Sequence, residues 1–352
     1  MELNESLRIR DLVIRNRLAV PPMVCFHWTG DDGYMTEKTF DHYEALARGG
    51  FGLIIVEATA VTRRSRLHQT EAGLWEDGQI DGYAEIARRI HAHGAKAFVQ
   101  LLHAGCNGID TEAETASDCS ARWGITGHEM TTGRIRDTVQ DFVQAALRAE
   151  KAGFDGIELH GCHGYLLSQF MNSRSNHRTD EYGAEKTLLA KEVLTAVRAA
   201  CGKNMIIGIR LAAFEPLLED GLAHAEALAP YTDFLDISYG GDNDPEKPAD
   251  FPYSPAVYGA LRVKQMLPQM PVFAVHGINS REDAIGVLSL GIDMVDVGHA
   301  ALVDPAFAEH VIAGVPAGKC LSCPKGCRWN PDEMQDPDRQ CPGAVLFARQ
   351  NH

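Results

Sequence analysis

The sequence predicts a (β/α)8 barrel with a short C-terminal cysteine-rich appendage. Short, nearly continuous apolar runs recur eight times, as expected for strands that are buried on both faces. Amphipathic segments lie between these runs, and eight strand–helix alternations favour a parallel sheet closed into a barrel. The alternative, an open doubly wound sheet, usually places a glycine-rich turn after its first strand. This chain instead has Pro22-Met23-Val24-Cys25 at that position.

The eight candidate strands are Leu18–Pro21, Leu53–Glu57, Ala97–Leu102, Gly156–His160, Ile206–Arg210, Phe234–Ser238, Val272–Val275 and Met294–Val297. Helical patterns between them include Thr36–Arg48, Gln79–His93, Thr138–Lys151 and Ser280–Leu288. Asn279 and Ser280 are typical of a helix N-cap, and Gly94 and Gly153 stand where helices are expected to end.

The predicted domain organisation is a barrel over residues 1–313 followed by the appendage at 314–352. Two polar stretches interrupt the barrel pattern, Asn107–Asp137 after the third strand and Gly240–Pro255 after the sixth. Both follow the carboxyl ends of strands, which is the face where barrels form their active sites.

Composition excludes several functional classes. Of the 352 residues, 45% are hydrophobic and 23% charged, which is ordinary for a globular protein. The net charge of −15 argues against a nucleic-acid partner. No apolar run reaches the roughly 18 residues that a membrane span needs, and the N-terminus lacks the apolar region of a signal peptide. We therefore expect a cytoplasmic protein that does not bind membranes.

Two imidazoles and a phenol lie within six residues at the end of the fourth candidate strand: His160, His163 and Tyr165. A lone histidine there would more often be a packed structural residue. Paired imidazoles, however, can donate hydrogen bonds to a developing oxyanion, and a nearby tyrosine can deliver a proton. The spacing therefore favours a catalytic role.

Other strand ends indicate a cofactor pocket. Gln100 suits the edge of a heterocycle that carries both a carbonyl and an N–H group, and Arg210 suits an electron-rich ring or an anion. The turns at His276-Gly277 and Gly298-His299 follow the seventh and eighth strands, the usual phosphate site of a barrel. Together these residues predict a pocket for a phosphorylated planar heterocycle.

From about Leu7 to Pro305 the chain resembles the Old Yellow Enzyme family of FMN-dependent ene-reductases. The resemblance is carried by Asn16-Arg17, Pro21-Pro22-Met23, Gly52-Leu53-Ile54-Ile55-Val56-Glu57-Ala58, Gln100-Leu101-Leu102-His103-Ala104-Gly105, His160-x-x-His163-Gly164-Tyr165-Leu166 and Ser175-Asn176-His177-Arg178-Thr179-Asp180-Glu181-Tyr182-Gly183. The last of these motifs is long and unusual.

The resemblance implies a role for each matching residue. Gln100 would bind the flavin pyrimidine edge, and Arg210 would lie near flavin N1. Pro22, Met23, Val24 and Ala58 would contact the flavin ring, chiefly through their backbones, while His276, Gly277, Gly298 and His299 would serve its phosphate. His160 and His163 would hold the substrate oxygen, and Tyr165 would supply the proton. NAD(P)H would reduce the FMN before the substrate enters the same site.

The chain departs from the family pattern at several of these positions. Val24 stands where relatives usually have Thr or Cys near flavin O4, so only its backbone N–H can serve there. His299 replaces the arginine that typically pairs with the FMN phosphate, and Cys106 stands where an arginine often follows His-Ala-Gly. FMN binding is expected to survive these changes, with altered affinity and potential.

Four of the nine cysteines crowd into the appendage as C-x2-C-x3-C-x13-C: Cys320, Cys323, Cys327 and Cys341. A [4Fe–4S] cluster takes four thiolates, and a zinc ion, the alternative, most often uses two C-x2-C pairs. The run is similar to the iron–sulfur segment of dienoyl-CoA reductases and trimethylamine dehydrogenases. The chain ends before the nucleotide-binding domain of those relatives, so the cluster either exchanges electrons with a separate protein or is a structural remnant.

The leading functional hypothesis is NAD(P)H-driven reduction of an activated C=C bond in a small-molecule substrate. One alternative is a flavin-dependent amine dehydrogenase or N-demethylase that passes electrons through the cluster. Another is a non-catalytic flavin electron carrier. The paired histidines favour reduction. The sequence leaves open the substrate, the choice between NADH and NADPH, and whether the chain forms a homo-oligomer.

Overall fold

A computed structural model describes residues 1–110, 112–120, 126–323, 327 and 340–350 of the chain. Parts of the polar stretch at 107–137 and of the appendage at 314–352 therefore lie outside the described residues. Among the described residues, no helix combines the length and the apolar surface that crossing a bilayer requires.

The strands in chain order are β1 (Leu7–Ile9), β2 (Leu12–Ile14), β3 (Leu18–Val20), β4 (Leu53–Ala60), β5 (Lys96–Leu102), β6 (Glu112–Thr115), β7 (Cys119–Ser120), β8 (Thr126–Glu129), β9 (Gly156–Gly161), β10 (Ile206–Ala212), β11 (Phe234–Ser238), β12 (Val272–Ala274) and β13 (Met294–Asp296). The helices are α1 (Glu37–Arg48), α2 (Ile80–Ala92), α3 (Thr132–Lys151), α4 (Leu166–Met171), α5 (Glu181–Ala184), α6 (Leu188–Ala200), α7 (Leu218–Leu228), α8 (Pro255–Met266), α9 (Arg281–Ser289), α10 (His299–Val303), α11 (Phe307–Ala313) and α12 (Pro342–Gln350).

Eight parallel strands close into a barrel in the order β3-β4-β5-β9-β10-β11-β12-β13, and β13 returns to pair with β3. Each of these strands matches one of the eight apolar runs, so the predicted (β/α)8 fold is confirmed. The N-terminal hairpin β1–β2 was not predicted, because the charged residues Arg8, Arg10 and Asp11 interrupt the apolar pattern there.

The barrel interior is layered. Near the amino ends of the strands, Phe98, Phe234 and Phe273 pack together, with ring centroids 5.6 Å and 4.6 Å apart, and the β1–β2 hairpin covers them. Gly208 makes room for this packing, since a Cβ there would lie 2.1 Å from the Phe234 ring. Strand side chains alternate with period two, so the residues two places further along point into the same interior, closer to the carboxyl ends.

The predicted helix boundaries hold except at α3. Thr36 and Ser280 are the N-cap residues of α1 and α9, and the Ser280 hydroxyl accepts a hydrogen bond from Asp283 N. Helix α3 begins at Thr132, six residues before the predicted start, with Thr131 as its cap. The prediction was wrong there because the first turn of α3 is mostly polar and was assigned to the preceding loop.

The predicted insertion after the third barrel strand carries a small sheet, in which β8 pairs with β6 and β7. A disulfide joins Cys106, just after β5, to Cys119 in β7. This disulfide was not predicted from the sequence. The buried Arg178 guanidinium donates hydrogen bonds to Ala116 O (3.1 Å) and Met130 O (2.7 Å), which attaches the insertion to the barrel.

Candidate active site

The His160–Tyr165 motif forms a tight turn at the carboxyl end of β9. His160 is buried and lies one residue before the end of this strand. His163 and Gly164 adopt left-handed backbone conformations with φ of 62° and 74°. Tyr165 then precedes α4 as its N-cap residue. The His160 ring lies 4.7 Å from the Tyr165 ring and 5.0 Å from the His163 ring, both edge to face. The structure thus brings the three predicted catalytic residues together.

Hydrogen bonds hold the two imidazoles in place. His163 Nδ1 lies 3.3 Å from His160 Nε2, and His163 Nε2 lies 2.9 Å from the hydroxyl of Ser238 at the end of β11. Burial, followed by the charge of Arg210, lowers the pKa of His163 to about 3. Burial also holds the pKa of His160 well below its usual range. Both rings are therefore neutral at pH 7, and each offers a single N–H donor.

A cavity of about 320 Å³ opens beside His163, within the size range of small-ligand pockets. Seven of the predicted cofactor residues line it: Pro22, Met23, Arg210, His276, Gly277, Gly298 and His299. They come from the ends of β12, β13 and β3, which are consecutive in the closed barrel, and of β10, which β11 separates from β12. The sequence hypothesis of one pocket shared by these strand ends is consistent with this arrangement.

Arg210 places a permanent positive charge beside this cavity. Its Nε lies 3.0 Å from Asp236 Oδ2 and its Nη2 donates to Ser238 Oγ at 3.4 Å. Burial lowers the pKa of Arg210, but the neighbouring acidic groups, Asp236 first among them, together outweigh this effect, and the net shift is upward. A cation held here suits a ring that gains negative charge during the reaction.

Three predicted cofactor residues do not line the cavity. Val24 is half-buried in the loop after β3, Ala58 is buried in β4, and the Gln100 amide donates to Glu158 Oε1 at 2.7 Å. Gln100 is nevertheless in the same interior layer as Arg210. Its carbonyl oxygen and second N–H are the groups that could reach a bound heterocycle.

Glu57 anchors the loop that carries Pro22, Met23 and Val24. Its carboxyl accepts hydrogen bonds from Cys25 N (2.7 Å) and from the Tyr43 hydroxyl (3.1 Å). Burial raises the pKa of Glu57 to about 7, although these two donors lower it in part. The sequence places Glu57 at the end of the candidate strand Leu53–Glu57 but does not indicate its partners.

The residues around the cavity fit FMN. Gly277 has a φ of +82° with open space where a Cβ would be, and Gly298 leaves Met23 as its nearest neighbour, so both backbones are accessible to a phosphate. His299 is exposed at the same edge. Arg210 supplies a cation near the ring position, and the glycine turns supply bare amides for the phosphate.

The four cysteines of the appendage are free thiols of intermediate exposure. Cys320 and Ser322 line the same cavity as Arg210 and Gly277, so the start of the appendage lies at the candidate cofactor site. Within the described part of the chain, the only potential metal-ligating set within 4.8 Å is His160, Cys162 and His163. The positive charge of Arg210, which acts on all three residues, disfavours a cation there.

A second cavity, of about 510 Å³, borders His163 and Gly164 on the side of the insertion. Its lining is polar and includes Asn107, Ser168, Gln169 and Asn172, together with the Cys106–Cys119 disulfide. This cavity extends the space available next to the paired imidazoles.

Three buried acids in the barrel interior were not predicted from the sequence: Glu158, Asp236 and Asp296. Each is an isolated acidic residue within an otherwise apolar strand. This pattern is the signal that could have identified them, because an ionisable group in a buried strand is rare unless it is paired or functional.

Comparison with known proteins shows the family to which the chain belongs. The sequence model of the NADH:flavin oxidoreductase / NADH oxidase family matches residues 2–317. The chain is 33% identical over 306 residues to an NADPH dehydrogenase of Halalkalibacterium halodurans, covering 84% of this chain and 86% of that protein. It is also 35% identical over 343 residues to an NADH oxidase of Thermoanaerobacter brockii, covering 91% of this chain and 52% of that protein. The chain thus spans about half the length of the latter.

Among solved structures, the Old Yellow Enzyme homologue from Zymomonas mobilis superposes with a TM-score of 0.78 at 21% identity. The superposition covers 97% of this chain and all of that one. This likeness supports the barrel fold.

Proposed function

Since the chain belongs to the NADH:flavin oxidoreductase / NADH oxidase family, we propose that it reduces an activated C=C bond conjugated to a carbonyl. Family membership identifies it as an FMN-dependent NAD(P)H oxidoreductase of the Old Yellow Enzyme type. The C=C specificity is our proposal, as is a cytoplasmic location, where NAD(P)H is available.

The observation that carries this proposal is the edge-to-face cluster of His160, His163 and Tyr165 beside the cavity of Arg210. Bound FMN supplies a ring that accepts hydride from NAD(P)H and returns it to the substrate. When the 3.3 Å contact between the two imidazoles opens for the substrate, His160 and His163, both neutral, each donate one N–H to the substrate carbonyl oxygen as negative charge develops on it. Tyr165 gives its proton to the substrate carbon that does not receive the hydride.

Within the proposed cofactor site, Arg210 would stabilise negative charge on the reduced ring, and Gln100 would bind the pyrimidine edge. Pro22, Met23, Val24 and Ala58 would contact the ring, and His276, Gly277, Gly298 and His299 would hold the phosphate. Seven of these residues line the 320 Å³ cavity, whereas Val24, Ala58 and Gln100 do not.

The test separates the two half-reactions in anaerobic stopped-flow experiments on FMN-loaded protein. NADPH should bleach the flavin absorbance, and 2-cyclohexenone should restore it. Tyr165→Phe should slow the restoration by about 10²-fold or more, because a general acid contributes about 10²–10⁴ to the rate. Bleaching by NADPH, which needs no proton from Tyr165, should keep its rate.

The matched control is Tyr182→Phe, a buried tyrosine whose hydroxyl bonds to Glu192 away from the site. It should leave both half-reactions unchanged. The amine dehydrogenase alternative is tested with the same protein, N-methylated amines and an artificial electron acceptor. Turnover of the amines without any reoxidation by enones would contradict the proposal.

We further propose that Cys320, Cys323, Cys327 and Cys341 hold a [4Fe–4S] cluster. A [4Fe–4S] cluster takes four thiolates, whereas a zinc site most often uses two C-x2-C pairs, and the spacing of these cysteines contains only one such pair. Cys320 at the cofactor cavity favours electron exchange with the flavin, and from there with a separate protein.

Iron, sulfide and zinc analysis of anaerobically purified protein tests this assignment. Iron and sulfide should be present in the wild type and lost in Cys323→Ser. They should be retained in Cys201→Ser, which removes a buried free thiol elsewhere. Stoichiometric zinc without iron would contradict the cluster, and FMN binding, read from absorbance, would be judged separately.

A further inference from the structure

Three carboxyl groups and one guanidinium are buried inside the barrel at the floor of the cofactor cavity. Glu158 in β9, Asp236 in β11 and Asp296 in β13 are 0% exposed, and Arg210 in β10 is 5% exposed. They lie in the layer above the phenylalanine rings, since Asp236 and Asp296 follow Phe234 and Met294 by two residues. Asp296 and Arg210 both line the 320 Å³ cavity.

These acids are short of hydrogen-bond donors. One oxygen of Glu158 accepts from Gln100, and the other accepts from no described residue. Arg210 Nε is within 3.0 Å of Asp236 Oδ2 but is not aligned on it. None of the four carboxyl oxygens of Asp236 and Asp296 accepts a hydrogen bond from the described part of the chain.

The charges of this cluster do not balance if all the acids are ionised. Three carboxylates and one guanidinium would leave a net charge of −2 in a region without solvent, which is strongly unfavourable. Burial and the neighbouring Asp236 both raise the pKa of Asp296 well above its usual range. A proton placed between Asp236 and Asp296 would give two of the four unpaired oxygens a hydrogen bond and remove one charge.

No other charged group of the described chain compensates this pair. Arg210 faces Asp236 across β10, and the other facing residues are apolar: Phe273 faces Asp236 across β12, and Ala19 faces Asp296 across β3. The charged groups acting on the pair are Arg210 and Glu158. Beyond them, His160 and His163 are neutral, and His276 and His299 stand at the outer edge of the cavity.

We propose that Asp236 and Asp296 share one proton in the oxidised protein and bind a second proton when the flavin above Arg210 is reduced. The proposal rests on the FMN site proposed above. NAD(P)H delivers two electrons and one proton to the ring as hydride, which leaves the ring with one negative charge. The carboxyl pair takes its second proton from solvent and becomes neutral, which removes the negative charge of the pair from beside Arg210. On reoxidation by the substrate, the pair returns that proton to solvent.

The consequence is a measurable stoichiometry. Hydride transfer from NADPH to FMN, with the reduced ring anionic, consumes no proton by itself. Uptake at the carboxyl pair therefore appears as one proton removed from solution for each flavin reduced. The carboxyl pair adjusts the negative charge beside Arg210, and it does not contact the substrate.

The experiment follows proton uptake with a pH-indicator dye in weakly buffered, anaerobic holoenzyme while NADPH is added. Wild-type protein should take up about one proton per flavin bleached, and Asp296→Asn should take up none. Glu215→Gln is the matched control, because Glu215 is also a buried carboxyl but is bound to Ser168 and Asn172 outside the cluster. This control should keep the wild-type uptake.

Infrared spectra provide a second measurement that does not depend on the variant folding. Wild-type protein should display a carboxylic-acid C=O band that shifts in D2O, and the band should strengthen on reduction. Absence of that band, or proton uptake that persists in Asp296→Asn, would overturn the proposal. If the FMN proposal failed instead, the purified protein would retain no flavin absorbance. The infrared band of the shared proton would then be sought in the flavin-free protein.

Discussion

His160 and His163 act as neutral hydrogen-bond donors, because burial and the Arg210 charge hold their pKa values far below neutrality. A donor can therefore be replaced by another neutral donor. We expect His163→Asn to retain most of the enone reduction, and His163→Ala to lose about 10²–10³-fold in kcat, as expected for removal of one oxyanion donor. Steady-state kinetics with a fixed enone provide the comparison.

The same argument predicts the pH profile. Since the pKa of His163 is about 3, kcat should show no histidine titration between pH 5 and 8. An inflection near pH 6.5 that disappears in His163→Asn would mean that the imidazole titrates in its ordinary range, and the neutral-donor interpretation would have to be abandoned.

Glu57 makes stability depend on pH in a defined direction. Its pKa is raised from 4.5 to about 7, so the folded state binds a proton that the unfolded state releases. This contribution is fully present below about pH 4.5 and is lost as the pH rises to 7, at up to about 1.4 kcal/mol per unit. Glu57→Gln should flatten that slope in urea unfolding measured across this range, whereas Glu226→Gln, at an exposed position, should not. An unchanged slope in Glu57→Gln would rule out this residue as the source.

At this scale, the sequence predicts residues whose relation is local. His160, His163 and Tyr165 lie in one turn, and the glycine turns follow their own strands, so chain order alone brings each group to the barrel mouth. The bond from Cys25 N to Glu57 and the contact between Arg210 and Asp236 join residues 32 and 26 positions apart. No periodicity encodes such pairs, because each strand appears in the sequence as an ordinary buried run.

Arg178 determines how the insertion attaches to the barrel. Its guanidinium donates to Ala116 O and Met130 O and pairs with Asp180, so one buried cation satisfies groups from three segments. Arg178→Lys keeps the charge but loses this fork, and it should cost about 3 kcal/mol in urea unfolding. Arg88→Lys, at an exposed pair with Glu85, should cost less than about 0.5 kcal/mol. Equal losses in the two variants would contradict a specific role for Arg178.

The disulfide between Cys106 and Cys119 closes a loop of 13 residues over the second cavity. A loop of that length predicts a stabilisation of about 3 kcal/mol, so Cys119→Ser should lower the free energy of unfolding by that order. The same loss is not expected for Cys201→Ser. Thiol titration of denatured, unreduced and metal-free protein should find seven of the nine cysteines free. A count of nine would show that the bond does not form.

The elements differ in how well the sequence predicts them. Long amphipathic helices such as α1 and α9 are predicted to within a residue, since their caps and apolar stripes agree. The insertion is not, because β6, β7 and β8 are four residues or shorter and are stabilised by contacts from Arg178 and the disulfide. Its structure depends on partners that lie 60 residues away in the chain.

For the whole molecule, the strand–helix alternation predicts barrel closure, because each parallel connection must return across the sheet with the same hand. The distribution of polarity inside the barrel does not follow from the alternation. Phenylalanine rings fill the amino-end layer, and the next layer holds Gln100, Glu158, Arg210, Asp236 and Asp296. The fold therefore carries buried charges that become balanced only when protons and a cofactor are included.

Occupation of the proposed FMN site should stabilise the whole barrel. A ligand that binds only the folded state adds about 2.7 kcal/mol at a hundredfold excess over Kd, and the effect should appear as a higher Tm in calorimetry. Riboflavin, which lacks the phosphate that the turns at Gly277 and Gly298 would hold, should raise the Tm less at equal concentration. Arg210→Met should reduce the effect of both compounds, because it removes the cation beside the ring. If FMN and riboflavin raised the Tm equally, the glycine turns at the ends of β12 and β13 would not form the phosphate site, and the orientation of the flavin in this barrel would have to be reversed.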